Sequence, residues 1–315
     1  MKILELKELN ELFLNGSVVT LGNFDGVHRG HLAILQALER SSEITGLPSV
    51  LVTYFPHPAL VLGKTKDLKY IYSETKKREI LSQFKINYLL TISFTLEFSQ
   101  KKALEFIEEI LVNALKAKHI VIGYNHFFGK DQEGDFTFLQ NCSSQYGFSV
   151  EQIPPVFFGS QKISSSQIRS LILQGEIEKA NEMLGRPFSL RGIVVEGDKR
   201  GSQISFPTAN LIPPQDCVYP ANGVYAAHTV IQGRRYASMI NIGYRPTFQG
   251  TYLTIEAHIL DFKGNLYGEE IEHYFLYKIR NEKKFESVGE LISQLHRDKQ
   301  VTQKLLRQNS QMAQQ

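Results

Sequence analysis

The chain has 315 residues, which at about 150 residues per domain is enough for two domains that each bury a core. Hydrophobic residues are 42% and charged residues 21%, which excludes a disordered chain, and a net charge of +3 is too balanced for a protein that tracks along nucleic acid by counterion release. Two cysteines, Cys142 and Cys217, lack CxxC spacing and a His partner, so neither a zinc site nor a disulfide framework is indicated, and the expectation is a soluble cytoplasmic protein without nucleic-acid or membrane partners. Met1 to Asn10 is interrupted by charges and is no secretory signal, and the longest apolar run, Ile86 to Leu96, is well short of the roughly 20 residues of a membrane span. From Val18 to Ile153, short β-rich runs alternate with stretches of helical period. The strands are expected at 18–21, 50–54, 88–92, 119–123 and 148–153. Helices are expected after His31, after Ser73 and after Ser99, the last with Ala103, Phe106 and Ile110 on one face. This alternation predicts a doubly wound parallel sheet.

Two further helical segments, 165–173 and 177–184, end at Gly185-Arg186-Pro187, a helix stop that places the domain boundary between 1–186 and 187–315. Beyond it, β-runs at 190–196, 224–231, 236–242, 253–260 and 270–277 are joined by short Gly- or Pro-rich connections. They predict an antiparallel barrel or sandwich. A closing helix from Ser287 to about Leu306 and a frayed tail from Gln308 complete the chain.

The first strand runs into Gly22-Asn23-Phe24-Asp25-Gly26-Val27-His28-Arg29-Gly30-His31, at the place where a parallel sheet offers backbone N–H groups and a helix dipole to an anion. Two glycines are expected to let the backbone turn tightly. Two imidazoles three residues apart fall on one side of the opening helix, where each can donate to a phosphate oxygen. By spacing alone, His-x-x-His is more often surface decoration or a metal-ligand pair; its place in a glycine-bearing turn after a strand favours the phosphate site. In the second half, Gly197 and Gly201 precede Ser205-Phe206-Pro207-Thr208-Ala209-Asn210, where Pro207 fixes a turn that presents the Thr208 and Asn210 oxygens together. Two neutral oxygens suit a Mg²⁺ ion that keeps its waters and a substrate phosphate.

His28-Arg29-Gly30-His31 matches the HxGH signature of the nucleotidyltransferase superfamily, and the longer string resembles bacterial FAD synthetases. Ile163-Ser164-Ser165-Ser166-Gln167-Ile168-Arg169 is similar to that family's ISSTxIR motif, with Ser166 in place of Thr. Phe55-Pro56-His57-Pro58 resembles its PHP turn, and Gly123 to Gly129 its G-x-(D/N)-F-x-F-G loop, with Phe55 and His126 departing from the commoner residues. Phe206 to Asn210 matches the FPTAN motif of riboflavin kinases, Asn241 to Phe248 their NxGxxPTF segment, Ile255 to His258 their catalytic strand, and Arg280, Glu282 and Phe285 their R-x-E-x-x-F signature. The resemblance covers nearly the whole chain. It implies a nucleotidyltransferase domain followed by a riboflavin kinase barrel with a terminal helix. The two would phosphorylate riboflavin to FMN and adenylylate FMN to FAD, with ATP, riboflavin and FMN as substrates and Mg²⁺ as cofactor, in a monomer or weak homo-oligomer.

By the same transfer, His28, His31 and Arg169 act in adenylyl transfer, with Gly22, Asn23, Phe24, Gly30, Asn125, Ser164, Ser165 and Ser166 on ATP and Phe128 on the flavin. Glu256 accepts the riboflavin hydroxyl proton, Thr208 and Asn210 hold Mg²⁺, Gly197 and Gly201 cover ATP, and Arg280 lies on the flavin side. Taken without the family, Phe127 and Phe128 read as core residues, Ser164 to Ser166 as a helix cap and Glu256 as a strand carboxylate. Where the family reads RGRxLGFPTAN, this chain places Ser202 and Ser205 at the second Arg and the Gly; loss of the cation predicts weaker ATP binding, and a left-handed backbone at Ser205 would add strain. Two rival readings stand beside the bifunctional enzyme: an FMN adenylyltransferase with a feeble kinase half, and a non-catalytic flavin- or nucleotide-sensing module.

Overall fold

The computed structural model describes residues 1–11, 14–65, 67–197, 201, 204–247 and 250–312. Packing divides the chain into two units, Met1–Lys69 with Glu74–Ser165, and Tyr70–Ser73 with Ser166–Gln315.

In chain order the first part carries β1 (Lys2–Glu5), β2 (Ser17–Leu21), α1 (Arg29–Thr45), β3 (Ser49–Phe55), α2 (Pro58–Val61), α3 (Glu74–Leu81), β4 (Tyr88–Ser93), α4 (Leu96–Ser99), α5 (Ala103–Phe106), β5 (Ala117–Gly123), α6 (Phe136–Tyr146), β6 (Ser149–Ile153) and a small hairpin of β7 (Phe157–Phe158) and β8 (Gln161–Lys162). Six strands form one parallel sheet in the order β1-β4-β3-β2-β5-β6. All five residues of β2 are buried, as expected of a strand covered on both faces. The order reverses between β2 and β5, which opens a crevice at the carboxyl ends of these strands.

All five strands expected in this half are present. The edge strand β1 was not foreseen, because four residues with only Leu4 buried give no readable alternation. Nor does Ser99 cap a helix. It ends α4, which is capped by Thr95, whose Oγ1 accepts from the Phe98 N–H; α5 then starts after Lys102 and runs on as a π-helix over Ile107–Ala114.

The chain continues through α7 (Ser165–Gln174), α8 (Ile177–Leu184), β9 (Phe188–Val195), β10 (Ala209–Ile212), β11 (Gly223–Ile231), β12 (Arg234–Thr247), β13 (Gly250–Ile259), β14 (Glu270–Arg280) and α9 (Val288–Met312). Six antiparallel strands close into a barrel, β10-β13-β12-β11-β14-β9, which decides between the two architectures left open by spacing. Gly185 caps α8 in the left-handed conformation, φ 77°, as the Gly-Arg-Pro stop predicted. Packing nonetheless groups α8 with the barrel, because Ile177, Ala180, Met183 and Leu184 are buried and the helix lies on β9 and β14. Helix α9 continues through 308–312, where a frayed tail was expected; a Gln-rich segment retains good helix propensity. Among the described residues no helix is long and apolar enough to cross a membrane.

Candidate active sites

The turn after β2 is built differently from a simple glycine loop. Of its glycines only Gly26 takes a positive φ, 79°; Phe24 (50°) and Val27 (42°) supply the other left-handed positions, and both side chains are fully buried. Such conformations cost about 1–3 kcal/mol each and persist only where packing holds them. Gly22 and Gly30 instead permit close approach by rings. A Cβ on Gly22 would lie 3.0 Å from the Phe24 ring, and one on Gly30 would lie 3.0 Å from Cε1 and 3.1 Å from Nδ1 of His28.

His28 is the N-cap of α1, its Nδ1 accepting from the His31 N–H at 3.3 Å. With Nδ1 an acceptor, the ring proton sits on Nε2. The two imidazoles do lie on one side of the helix, stacked at 3.7 Å between centroids and 14° between planes. Phe24 props His31 from below at 5.1 Å. Ser165 at the head of α7 donates from Oγ to the Asp25 carbonyl at 2.9 Å, which ties that residue to the turn. Ser166 and Arg169 follow on the same helix, with Arg169 Nη1 donating to Ser166 Oγ at 3.5 Å.

Beside the turn a cleft of about 470 Å³ is lined by Gly22 and Asn23, by Tyr54 and His57 after β3, and by Asn125 to Gly129 after β5. Tyr54, Phe94, Phe98, Phe106, Phe127 and Phe128 give it an aromatic part, and Lys64, Gln100, Lys101, Asp131 and Gln132 a polar one. Phe128 is 6% exposed and packed against Phe106 and Phe138, whereas Phe127 is 53% exposed. Burial pushes the His126 pKa down to about 4, so this ring adds no charge to the cleft at neutral pH. The reading of both rings as core residues holds for Phe128 and fails for Phe127, because adjacent residues of the loop after β5 turn to opposite sides.

On the barrel, Ile255 and Ala257 point inward, so Glu256 stands on the outer face of β13. Register sets Asn210 of β10 on one side of Glu256 and Asn241 of β12 on the other. Asn241 was quoted in a motif without a role; only strand register brings it beside the carboxylate. A Cβ at Gly197 would collide with the Asn210 amide, and one at Gly201 with the Phe206 carbonyl. Phe206 is wedged between the rings of His258 (5.0 Å) and His296 of α9 (5.1 Å), and His258 Nδ1 donates to the Pro207 carbonyl at 2.9 Å. Ser205 adopts φ 63°, the left-handed backbone anticipated at the family's Gly. Arg200, Ser202 and Phe248 lie outside the described residues. Arg280 is not a free cation: its guanidinium grips Asp298 of α9, with Nε at 3.0 and 3.2 Å and Nη2 at 2.9 Å from the carboxylate oxygens.

Residues 11–167 match the family model described as FAD synthetase and residues 184–306 the one described as riboflavin kinase. Proteins named bifunctional riboflavin kinase/FMN adenylyltransferase are similar along their length: that of Listeria monocytogenes at 38% identity, covering 90% of this chain and 91% of its own, and that of Escherichia coli K12 at 36%, covering 93% and 94%. A crystal structure from Streptococcus pneumoniae described as a macrolide-efflux protein superposes with a TM-score of 0.89 at 34% identity, covering 96% of this chain and 99% of that one. Two family matches in series and relatives aligned through both halves place the chain in the family of bifunctional riboflavin kinase/FMN adenylyltransferases.

Proposed function

We propose that this chain makes FAD from riboflavin in two ATP-dependent steps, with functional halves 1–186 and 187–315. The observation that carries the reading is the stacked His28–His31 pair at the sheet's switch point, with a cleft of about 470 Å³ beside the same turn at Gly22 and Asn23.

In the kinase half, Glu256 accepts the proton of the riboflavin 5′-hydroxyl as its oxygen attacks the γ-phosphate of ATP, and ADP leaves. Thr208 and Asn210 are the residues that would hold Mg²⁺. The fit rests on the Asn210 amide, which lies so close on the Gly197 backbone that a side chain there would displace it, and on Glu256 in register beside it. The ion supplies neutralisation of charge on the transferring phosphate. Gly197 and Gly201 let the backbone close over ATP, and Arg280, tied to Asp298, orders the flavin side of the barrel end.

In the adenylyltransferase half, an FMN phosphate oxygen attacks the α-phosphate of ATP and pyrophosphate leaves. Nε2–H of His28 and the His31 imidazole donate to the α-phosphate as charge builds there. Ser164, Ser165, Ser166 and Arg169 hold the departing phosphates, Arg169 as the charge-assisted donor. Gly22, Asn23, Gly30 and Asn125 border the nucleotide, and Phe24 holds His31 from beneath. Phe128 closes the flavin cleft and Phe127 offers the exposed face for stacking. The chain acts in the cytoplasm as a monomer or weak homo-oligomer, on small molecules alone.

The test is to incubate the protein with ATP and Mg²⁺, once with riboflavin and once with FMN, and to separate the flavins over time. FMN followed by FAD from riboflavin is the expected course. A second reading, an adenylyltransferase with a feeble kinase half, is favoured by Ser205 at φ 63°; FAD from FMN with riboflavin left untouched would select it. Flavin binding without any product would leave a sensing module.

A further inference from the structure

Helix α3 carries two lysines that are almost wholly buried, Lys76 and Lys77. Lys76 pairs with Glu79 one turn along at 2.7 Å. Lys77 reaches into the sheet. Its ammonium lies 2.8 Å from the Glu74 carboxylate and donates at 3.4 Å to Oγ1 of Thr53, a β3 residue with no exposed surface. The Thr53 hydroxyl in turn donates to the carbonyl of Asn23 at 3.2 Å. Asn23 is the residue after Gly22 in the phosphate turn, and its amide meets Nε2 of His57 at 3.2 Å in the wall of the cleft.

The direction of these bonds is fixed. An ammonium has hydrogens and no acceptor, so Thr53 Oγ1 must accept from Lys77, and the single threonine hydrogen is left to point at Asn23. At the far end, the Asn23 amide nitrogen lies 3.2 Å from His57 Nε2, and the His57 ring is itself held by the Ala59 N–H, which donates to Nδ1 at 3.1 Å. Without Lys77 the threonine hydroxyl is free to rotate, and the link to the Asn23 backbone loses its direction.

Packing does not explain the lysine. A buried ion pair is often no more stabilising than an apolar side chain of the same volume, which Met would supply. Glu74 is moreover shared with Arg78 at 3.1 Å, so one carboxylate faces two cations and a positive charge remains at the carboxyl end of β3. We infer that Lys77 is a positioning residue for adenylyl transfer, acting through Thr53 to hold the Asn23 carbonyl and with it the turn that borders ATP. The inference rests on reading the first unit as an FMN adenylyltransferase.

The experiment compares the full-length protein with Lys77→Met, Thr53→Val, the double variant and Thr53→Ser. Rates of FAD formation from FMN are measured over a range of ATP, and riboflavin consumption by the kinase half of the same chain reports that the chain is intact. Each single variant should raise the KM for ATP in FAD formation about tenfold, the worth of one hydrogen bond to a charged group, with the KM for ATP in riboflavin consumption unchanged. The double variant should be no worse than the worse single one, because both cut the same chain, and Thr53→Ser should stay within about twofold of the parent. A KM within twofold of the parent in both single variants, or effects that multiply in the double variant, overturns the inference. Should Lys77→Met lose both reactions, Thr53→Val, which keeps the shape and the ion pair, decides by the same criteria. A parent protein that makes no FAD from FMN breaks instead the reading of the first unit, before any variant is compared.

Discussion

The turn at Gly22 to His31 and the segment from Gly201 to Asn210 both bend the backbone into the left-handed region at residues other than glycine, and they hold that bend by different means. In the first, Phe24 and Val27 are fully buried, so the strain is locked by the core beneath the sheet. In the second, Ser205 is exposed, and the anchors lie on its neighbours: Phe206 between His258 and His296, and the Pro207 carbonyl on His258 Nδ1. A left-handed residue with a buried side chain is over-determined by its surroundings; an exposed one carries the backbone cost with little to offset it. The histidine site is thus held by packing of the strained residues themselves, whereas the kinase segment depends on an aromatic wedge and hydrogen bonds at the neighbours of Ser205 and on register between strands.

The largest test of this contrast separates the two chemistries. His28→Ala or His31→Ala should lower FAD formation from FMN by about two to four orders of magnitude and leave riboflavin consumption intact, while Glu256→Ala should do the reverse. Loss of both reactions in each variant would contradict two independent sites. Next in size are the glycines that admit close neighbours. Gly30→Ala forces the His28 ring aside and should cost FAD formation about a hundredfold, and Gly197→Ala, which displaces the Asn210 amide, should impair riboflavin consumption alone. Equal damage to both reactions from either change would show that the sites are not separately built.

Inside the barrel, His273 is fully buried with Nδ1 bonded to Thr229 at 2.8 Å, and burial lowers its pKa from 6.5 to about 3. The unfolded chain therefore binds a proton between these values that the folded barrel refuses. This contribution to stability is complete above about pH 6.5 and is lost as pH falls towards 3. Acid should lower the unfolding midpoint of the riboflavin-consuming half between pH 7 and 5, and His273→Leu should flatten that slope. The smallest expected effect is Ser205→Gly, which removes the left-handed penalty and should stabilise the protein by about 1 kcal/mol, read as a rise in unfolding midpoint without loss of kinase turnover. An unchanged or lower midpoint would mean that Ser205 is not strained.

Much of the first half was legible because its strands are short, continuous apolar runs between helices of clear period, and β2, β3, β4, β5 and β6 lie within two residues of their expected ends. The four-residue strands β1 and β10 were not, being too short to show alternation, and β10 coincides with the segment read as a turn and motif. The histidine pair was visible as a spacing. Its stacking, and the role of His28 as a helix cap, depend on a ring lying against Gly30, which no spacing reports.

By itself the sequence determined the two-domain order, the alternating and then all-β patterns, and the side chains able to bind phosphate, because these follow from local periodicity and from residue chemistry. Tertiary structure alone decided that the barrel closes, that Asn241 and Asn210 flank Glu256, that Phe127 is exposed while Phe128 is core, and that Lys77 reaches the turn through Thr53. Each of these joins residues far apart in the chain, and such contacts are set by strand register and by which face of an element is buried, quantities that exist only once the elements have packed.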